Sequence, residues 1–203
     1  MSIQINYQNG IPHALDVLSR LQENRVVVGV PWSDTKLNMI AIVQEFGTTI
    51  YPKNTSVLII PTKEAQGRKP KDITGLFRPK PPHNHVLAVA DQSQPYGMRI
   101  MFILKDKVVI PKRPFLRFTR NHNLQKWADL AAREVNRAML GQISVKDVYQ
   151  SIGEMAVNDL KDEIKQFKDP HNAPLTVANK GFDDPLIETG KLRDSIIWIL
   201  ERR

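Results

Sequence analysis

The chain has 203 residues, 41% of them hydrophobic and 25% charged, a balance that supports a packed core and excludes wholesale disorder. It contains no cysteine, which excludes disulfides, thiolate metal sites and cysteine nucleophiles. The longest apolar run, Ile196-Ile197-Trp198-Ile199-Leu200, is far shorter than the roughly 18–20 residues that cross a bilayer, and Met1-Ser2-Ile3-Gln4-Ile5-Asn6 lacks the basic and apolar stretches of a secretion signal. The expectation is a soluble protein made in a reducing compartment, a single domain over 1–203 with no membrane contact.

The net charge of +8 is unevenly placed. Residues 51–120 hold 14 Lys and Arg against 4 Asp and Glu, whereas 1–50 hold 3 against 4 and 121–203 hold 12 against 13. The same stretch contains 9 of the 14 prolines. This double shift predicts a basic, proline-rich arm over 51–109, inserted into a near-neutral scaffold. Three readings fit the arm: a solvated, self-repelling projection, a surface for an acidic protein partner, or a contact for nucleic-acid phosphates. No recognition-helix or RNA-binding signature accompanies it, so sequence-specific readout is not expected.

In chain order, Ile3-Gln4-Ile5-Asn6-Tyr7 alternates and reads as a half-buried strand, followed by a turn at Asn9-Gly10. Pro12 suits the first turn of a helix whose Leu15, Leu18 and Leu21 share a face and which ends near Asn24. Val26-Val27-Val28-Gly29-Val30 suits a central strand. A helix over 36–46 follows, with Met39, Ile40, Ile42, Val43 and Phe46 on its apolar face and Gly47 as the left-handed residue past its end. Strands are expected at 57–60, 86–90 and 99–104, with a loop over 67–82. Lys105-Asp106-Lys107 turns the last of these strands back into Val108-Val109-Ile110. A helix over 121–140 carries Leu124, Trp127, Ala131, Val135 and Ala138 on one face and stops at Gly141. Ser144 and Asp147 have the spacing of a helix cap. The next helix buries Val148, Ile152, Met155, Leu160, Ile164 and Phe167, and the two pack antiparallel or across a sheet. Residues 169–190 read as a long polar loop, with Thr189 capping one helical turn, and Ser195–Glu201 as a buried closing strand.

No glycine-rich phosphate loop and no hydrolase signature occurs. His83 and His85 are the only close histidine pair, and loop polarity explains them better than metal binding. Asp183, Asp184, Glu188 and Asp194 form the one acidic cluster, where turn chemistry is a simpler account than a metal-dependent nuclease. No catalytic residue, metal or cofactor is therefore expected. Trp127 and Trp198 read as core, and Trp32, beside Pro31, as a candidate for a contact surface.

Three segments resemble, in order, the tail-completion and neck (head–tail joining) proteins of tailed bacteriophages, a broad family that includes minor-tail-protein-Z-like and virion-morphogenesis proteins. Ile40-Ala41-Ile42-Val43-Gln44-Glu45-Phe46-Gly47-Thr48 is similar to the family's helix ending in a Glu-Phe-Gly-Thr turn. Ile110-Pro111-Lys112-Arg113-Pro114-Phe115-Leu116-Arg117 resembles its Ile-Pro-x-Arg-Pro-Phe entry into the long helix. The run from Lys180 to Ile196 resembles its Pro-Leu-Ile-x-Thr-Gly-x-Leu-x-x-Ser-Ile ending. The resemblance covers 26–50 and 110–203, and says little about 51–109, where many members of the family carry a shorter connection.

The resemblance implies an α+β fold, a mostly antiparallel sheet flanked by helices. It also implies a structural, non-enzymatic role in the virion, assembled in the host cytoplasm. Such subunits form a homo-oligomeric ring, six subunits being favoured over three, that finishes the tail and joins it to the head while DNA passes through. The expected partners are adjoining head-completion or connector, tail terminator and tail tube proteins, with non-specific contact to packaged DNA. Lys105, Lys107, Lys112, Arg113, Arg117 and Arg120 are the candidates for partner or DNA contact. Met101, Phe102 and Ile103, with Phe182, Pro185 and Leu186, are the candidates for subunit interfaces. A basic nucleic-acid-binding protein unrelated to virions is the alternative reading.

Overall fold

A computed structural model of the chain describes residues 10–203. The strand expected at 3–7 lies outside the described residues. In chain order the elements are α1 (Gly10–Gln22), β1 (Asn24–Gly29), α2 (Thr35–Phe46), β2 (Thr48–Ile50), β3 (Leu58–Pro61), β4 (Val86–Ala90), β5 (Met98–Lys105) and β6 (Val108–Ile110). They continue with α3 (Phe115–Met139), α4 (Val145–Gln166), α5 (Pro174–Lys180), α6 (Lys191–Asp194) and β7 (Ile197–Arg202). Among the described residues helix makes up about 47% and strand about 19%, and every strand pairing is antiparallel, so the fold is α+β. The strands form three small sheets, β1–β7, β2–β6 and β3–β5–β4, rather than one.

The chain divides into two compact units. The first contains the residues up to Glu45, Pro114–Phe167 and Leu186–Arg203; the second contains Phe46–Arg113 and Lys168–Pro185.

The first unit is built on the antiparallel pair α3 and α4. Ala138 packs with Val145 and Val148 at the connecting end, and further along the indole N–H of Trp127 donates to Asp159 at 2.7 Å. The connection is locally encoded. Gly141 takes φ +73°, which ends α3, and the Ser144 hydroxyl and Asp147 carboxylate form a reciprocal cap on α4. From α4 the side chains of Val157, Leu160 and Ile164, with Phe167 just past its end, enter one core, and Val148 and Tyr149 enter another with Val17. On α1 the packing face is Val17 and Leu21 instead of the expected leucine stripe, because Leu15 and Leu18 are exposed. The His13 ring bonds the Ala138 carbonyl at 3.2 Å, which extends that face by one more turn.

The β1–β7 ribbon lays Val26 and Val28 inward and leaves Val27, Ile197 and Ile199 outward. The expected central and buried strands are thus each one-sided: among the described residues β1 pairs with β7 alone, and a two-stranded ribbon can cover only one face. Trp198 instead packs inward, directly over Gly153 of α4.

In the second unit β5 is the centre of the three-stranded sheet, with a bulge opposite Leu87/Ala88. Met101 and Phe102 join Ala65 in its small core, against which Leu76, Leu87 and Val89 pack. β6 does not fold back onto β5 as expected but pairs with β2, Thr48 opposite Ile110. The region 169–190 is not loop throughout, since it contains α5, opened by Pro174 and closed by Gly181 at φ +83°. Thr189 does not cap α6; left-handed Gly190 occupies that position.

Candidate functional site

The three segments of the resemblance meet in the core of the first unit. Ala41 comes from the first, Phe115 from the second, and Leu186, Leu192 and Ile196 from the third, all packed with Leu160 and Ile164 of α4. A chain segment contributes one or two side chains to a shared core only when its backbone is held in place, and polar contacts supply that hold.

Glu45, in the last turn of α2, is 3% exposed. Its carboxylate accepts the backbone N–H of Leu116 at 3.0 Å and of Arg117 at 3.4 Å, and the Arg117 Nε–H at 2.8 Å. Arg117 Nη2 also donates to the Glu45 carbonyl at 3.1 Å. A buried carboxylate needs such partners, and the first amides of a helix need an acceptor; each meets the other's requirement, with the helix dipole adding to the attraction. This explains why α3 begins at Phe115, six residues before the expected start: the cap comes from another helix, and local sequence carries no sign of it.

In the second unit the same two segments meet again. Gly47 has φ +70°, and a Cβ there would stand 2.9 Å from both the Ile110 carbonyl oxygen and the Lys112 nitrogen. Only glycine lets the backbone pass that close. Arg113 is 4% exposed, with Nε donating to the Pro170 carbonyl at 3.0 Å and Nη2 to the His171 carbonyl at 3.1 Å. Burial pulls its pKa down while nearby Asp183 pushes it back up. Asp183 accepts the Asn172 N–H at 2.9 Å and bonds the His171 ring at 2.7 Å, and the Asn172 bond above all holds its carboxyl below the ordinary value. Asp184 pairs with Lys168, and its carbonyl accepts from Lys180 at 2.7 Å.

Among the expected contact residues, Lys105, Lys107, Lys112 and Arg120 are exposed. Arg113 is buried and committed to the 170–171 carbonyls, which removes it from the surface, whereas Arg117 bonds Glu45 with a side chain that stays exposed. Of the expected interface residues, Phe182 is exposed and Ile103 half-buried. Met101 and Phe102 fill the core of their own unit, and Pro185 and Leu186 are buried as well, which corrects their assignment to a docking surface.

Exposed apolar side chains lie elsewhere. Trp32 is 86% exposed, and Met39 and Ile42, one turn apart on α2, face outward while Ala41 and Glu45 face in. The apolar pattern of α2 was visible in the sequence, but hydrophobicity alone does not separate a core face from a docking face.

The acidic cluster does not gather: Asp183 and Asp184 serve the contacts above, and Asp194 pairs with Arg193 at 2.7 Å. His83 packs against Tyr96 with the rings tilted and their centroids 4.7 Å apart, and among the described residues no three His, Asp or Glu side chains form a metal-binding group. A cleft of about 490 Å³ opens in the first unit between α4 and β7, lined by Glu154, Val157, Asn158, Ile196, Ile197 and Trp198. No helix among the described residues is long and apolar enough to cross a membrane.

No family model, curated protein or solved structure matches the chain.

Proposed function

We propose that the chain is a structural, non-enzymatic virion protein of a tailed phage, a subunit of a neck ring that completes the tail and joins it to the head. The observation that carries this reading is the shared core of the first unit. Three segments that resemble the tail-completion family, far apart in the chain, supply Ala41, Phe115, Leu186, Leu192 and Ile196 to it. Residues that resemble a family and also build one core are more telling than isolated turn chemistry.

The surface fits assembly. A closed ring joins two different patches of each subunit head to tail, and such patches are apolar at their centres. Exposed Trp32, Met39 and Ile42 are suited to one of them, and exposed Phe182 to another. Exposed Lys105, Lys107 and Lys112 would face either acidic surfaces of an adjoining ring or the DNA that passes through.

The test is deletion of the gene from a producing phage, followed by electron microscopy. Separate heads and incomplete tails, restored by the wild-type gene but not by a Trp32→Asp, Ile42→Asp variant that still folds, are the expected result. Intact infectious particles without the protein would overturn the reading in favour of a nucleic-acid-binding protein outside the virion.

A further inference from the structure

The charge of the molecule is sorted by unit. The second unit holds 14 Lys and Arg against 7 Asp and Glu, while the first holds 15 against 14. Pairing differs in the same way. In the first unit Arg25 meets Glu201 at 2.7 Å, Lys126 meets Asp159 at 2.5 Å and Arg137 meets Glu134 at 2.7 Å. In the second, five of the seven carboxylates serve internal contacts, while Asp106 stands exposed between Lys105 and Lys107. Asp91 and Glu64 both hold Arg99, Asp184 holds Lys168, Asp183 holds the 171–172 backbone turn, and Asp72 accepts from the Lys69 amide.

Ten exposed cations are left over between Lys53 and Lys80 and between Lys105 and Lys112, none of which makes an ion pair among the described residues. Arg68 and Arg78 turn their donors to main-chain carbonyls, of Ala65 and Asn84. The other eight are lysines.

We infer that this unit binds the phosphate backbone of duplex DNA without reading its sequence. Like charges so concentrated repel one another unless a partner of dense opposite charge is present. Lysine is depleted from the centres of protein–protein interfaces, whereas it is at home on phosphates, where binding releases counterions. The one α-helix in the unit, α5, has 7 residues, the β2–β6 ribbon has strands of 3, and the longer strands are tied into the three-stranded sheet β3–β5–β4, so the unit offers neither the long helix nor the free two-stranded ribbon that a major groove admits. The contact is therefore to backbone, shared among the ten exposed cations and carried mainly by Lys71 and Lys80 of the 67–82 segment and Lys105 and Lys107 at the β5–β6 connection. This deepens the proposed function by naming what the second unit touches. It rests on charge placement rather than on the virion reading, so its test is separate from particle assembly.

The experiment is fluorescence anisotropy of the full chain with a labelled 30-base-pair duplex in two unrelated sequences, from 50 to 200 mM salt. About six phosphate contacts imply a log–log salt slope near −5 and a loss of affinity of about a thousandfold over that range. Both sequences should bind equally. A Lys71→Gln, Lys80→Gln, Lys105→Gln, Lys107→Gln variant should reduce the slope by about 3 to 4. Lys36→Gln, Lys146→Gln, Lys191→Gln in the first unit should leave it unchanged. Circular dichroism checks that each variant folds, and competition against the wild type by poly-glutamate or anionic vesicles needs no variant. Absence of binding at 50 mM salt, a quadruple variant that binds like the wild type, or displacement by poly-glutamate or vesicles at equal charge would overturn the inference.

Discussion

Trp198 lies across Gly153 so closely that a Cβ on the glycine would stand 2.4 Å from the indole Cδ2 and 2.6 Å from Cγ. Helix α4 carries a glycine at mid-length, where it costs about 1 kcal/mol relative to alanine, and the ring of β7 occupies the space released. The contact fixes the β1–β7 ribbon against the helix. The fold thus gives up helix propensity at one position to seat a large aromatic ring.

Gly153→Ala tests this. At an exposed helical site the change would stabilise by nearly 1 kcal/mol. Here the collision with a ring, not a flexible chain end, reverses the sign, and a net loss of about 1–2 kcal/mol is expected from overpacking. Urea denaturation measures it, and a gain in stability would show that Trp198 moves aside freely.

Glu45 carries the entry into α3. Glu45→Ala removes a cap and leaves amides of Leu116 and Arg117 without an acceptor, for an expected loss of about 2 kcal/mol. Glu45→Gln keeps an acceptor oxygen and should cost less. Hydrogen exchange at Leu116 and Arg117 should accelerate in the alanine variant, and unchanged exchange there would refute the capping role.

Arg113 holds residues 170 and 171 by their carbonyls. Arg113→Met fills the space but donates nothing, so exchange and proteolysis should increase within 168–185 while the first unit keeps its protection. Arg113→Lys should rescue only part of the effect, because an ammonium lacks the guanidinium fork.

Acid should weaken the fold through carboxylates that are hydrogen-bonded in the native state. Asp183 is held low chiefly by the Asn172 amide, Asp147 by the Ser144 hydroxyl, Asp194 by Arg193, and Asp91 by the Ser93 hydroxyl. Their folded values lie below the ordinary 3.8, so in this region the unfolded chain binds more protons and stability rises with pH. The contribution is complete above the ordinary value and disappears as pH falls through the lower native values. Urea midpoints between pH 5 and about pH 2 should decline, and Asp183→Asn should flatten part of that decline.

Local chemistry was legible in the sequence. The Ser144–Asp147 cap, the glycines at 47 and 141, and the strands at 86–90 and 98–105 depend on neighbours within a few residues, and reading them requires no tertiary knowledge. The candidate surface was legible only in part. Lys105, Lys107 and Lys112 are exposed, but Arg113 carries the same charge and serves the interior. Formal charge does not tell whether a carbonyl or carboxylate waits nearby.

The sequence by itself determined most of the helices and strands and the placement of positive charge in the middle of the chain, because periodicity, capping and composition act over short range. Only the tertiary structure decided where α3 begins, which strand β6 joins, which face of α2 is inward, and which cations are left without carboxylates. Each of those depends on a group brought from far along the chain. The energy of a buried carboxylate, a close backbone pass or an unpaired lysine is set by what stands within a few ångströms, and sequence order does not record that distance.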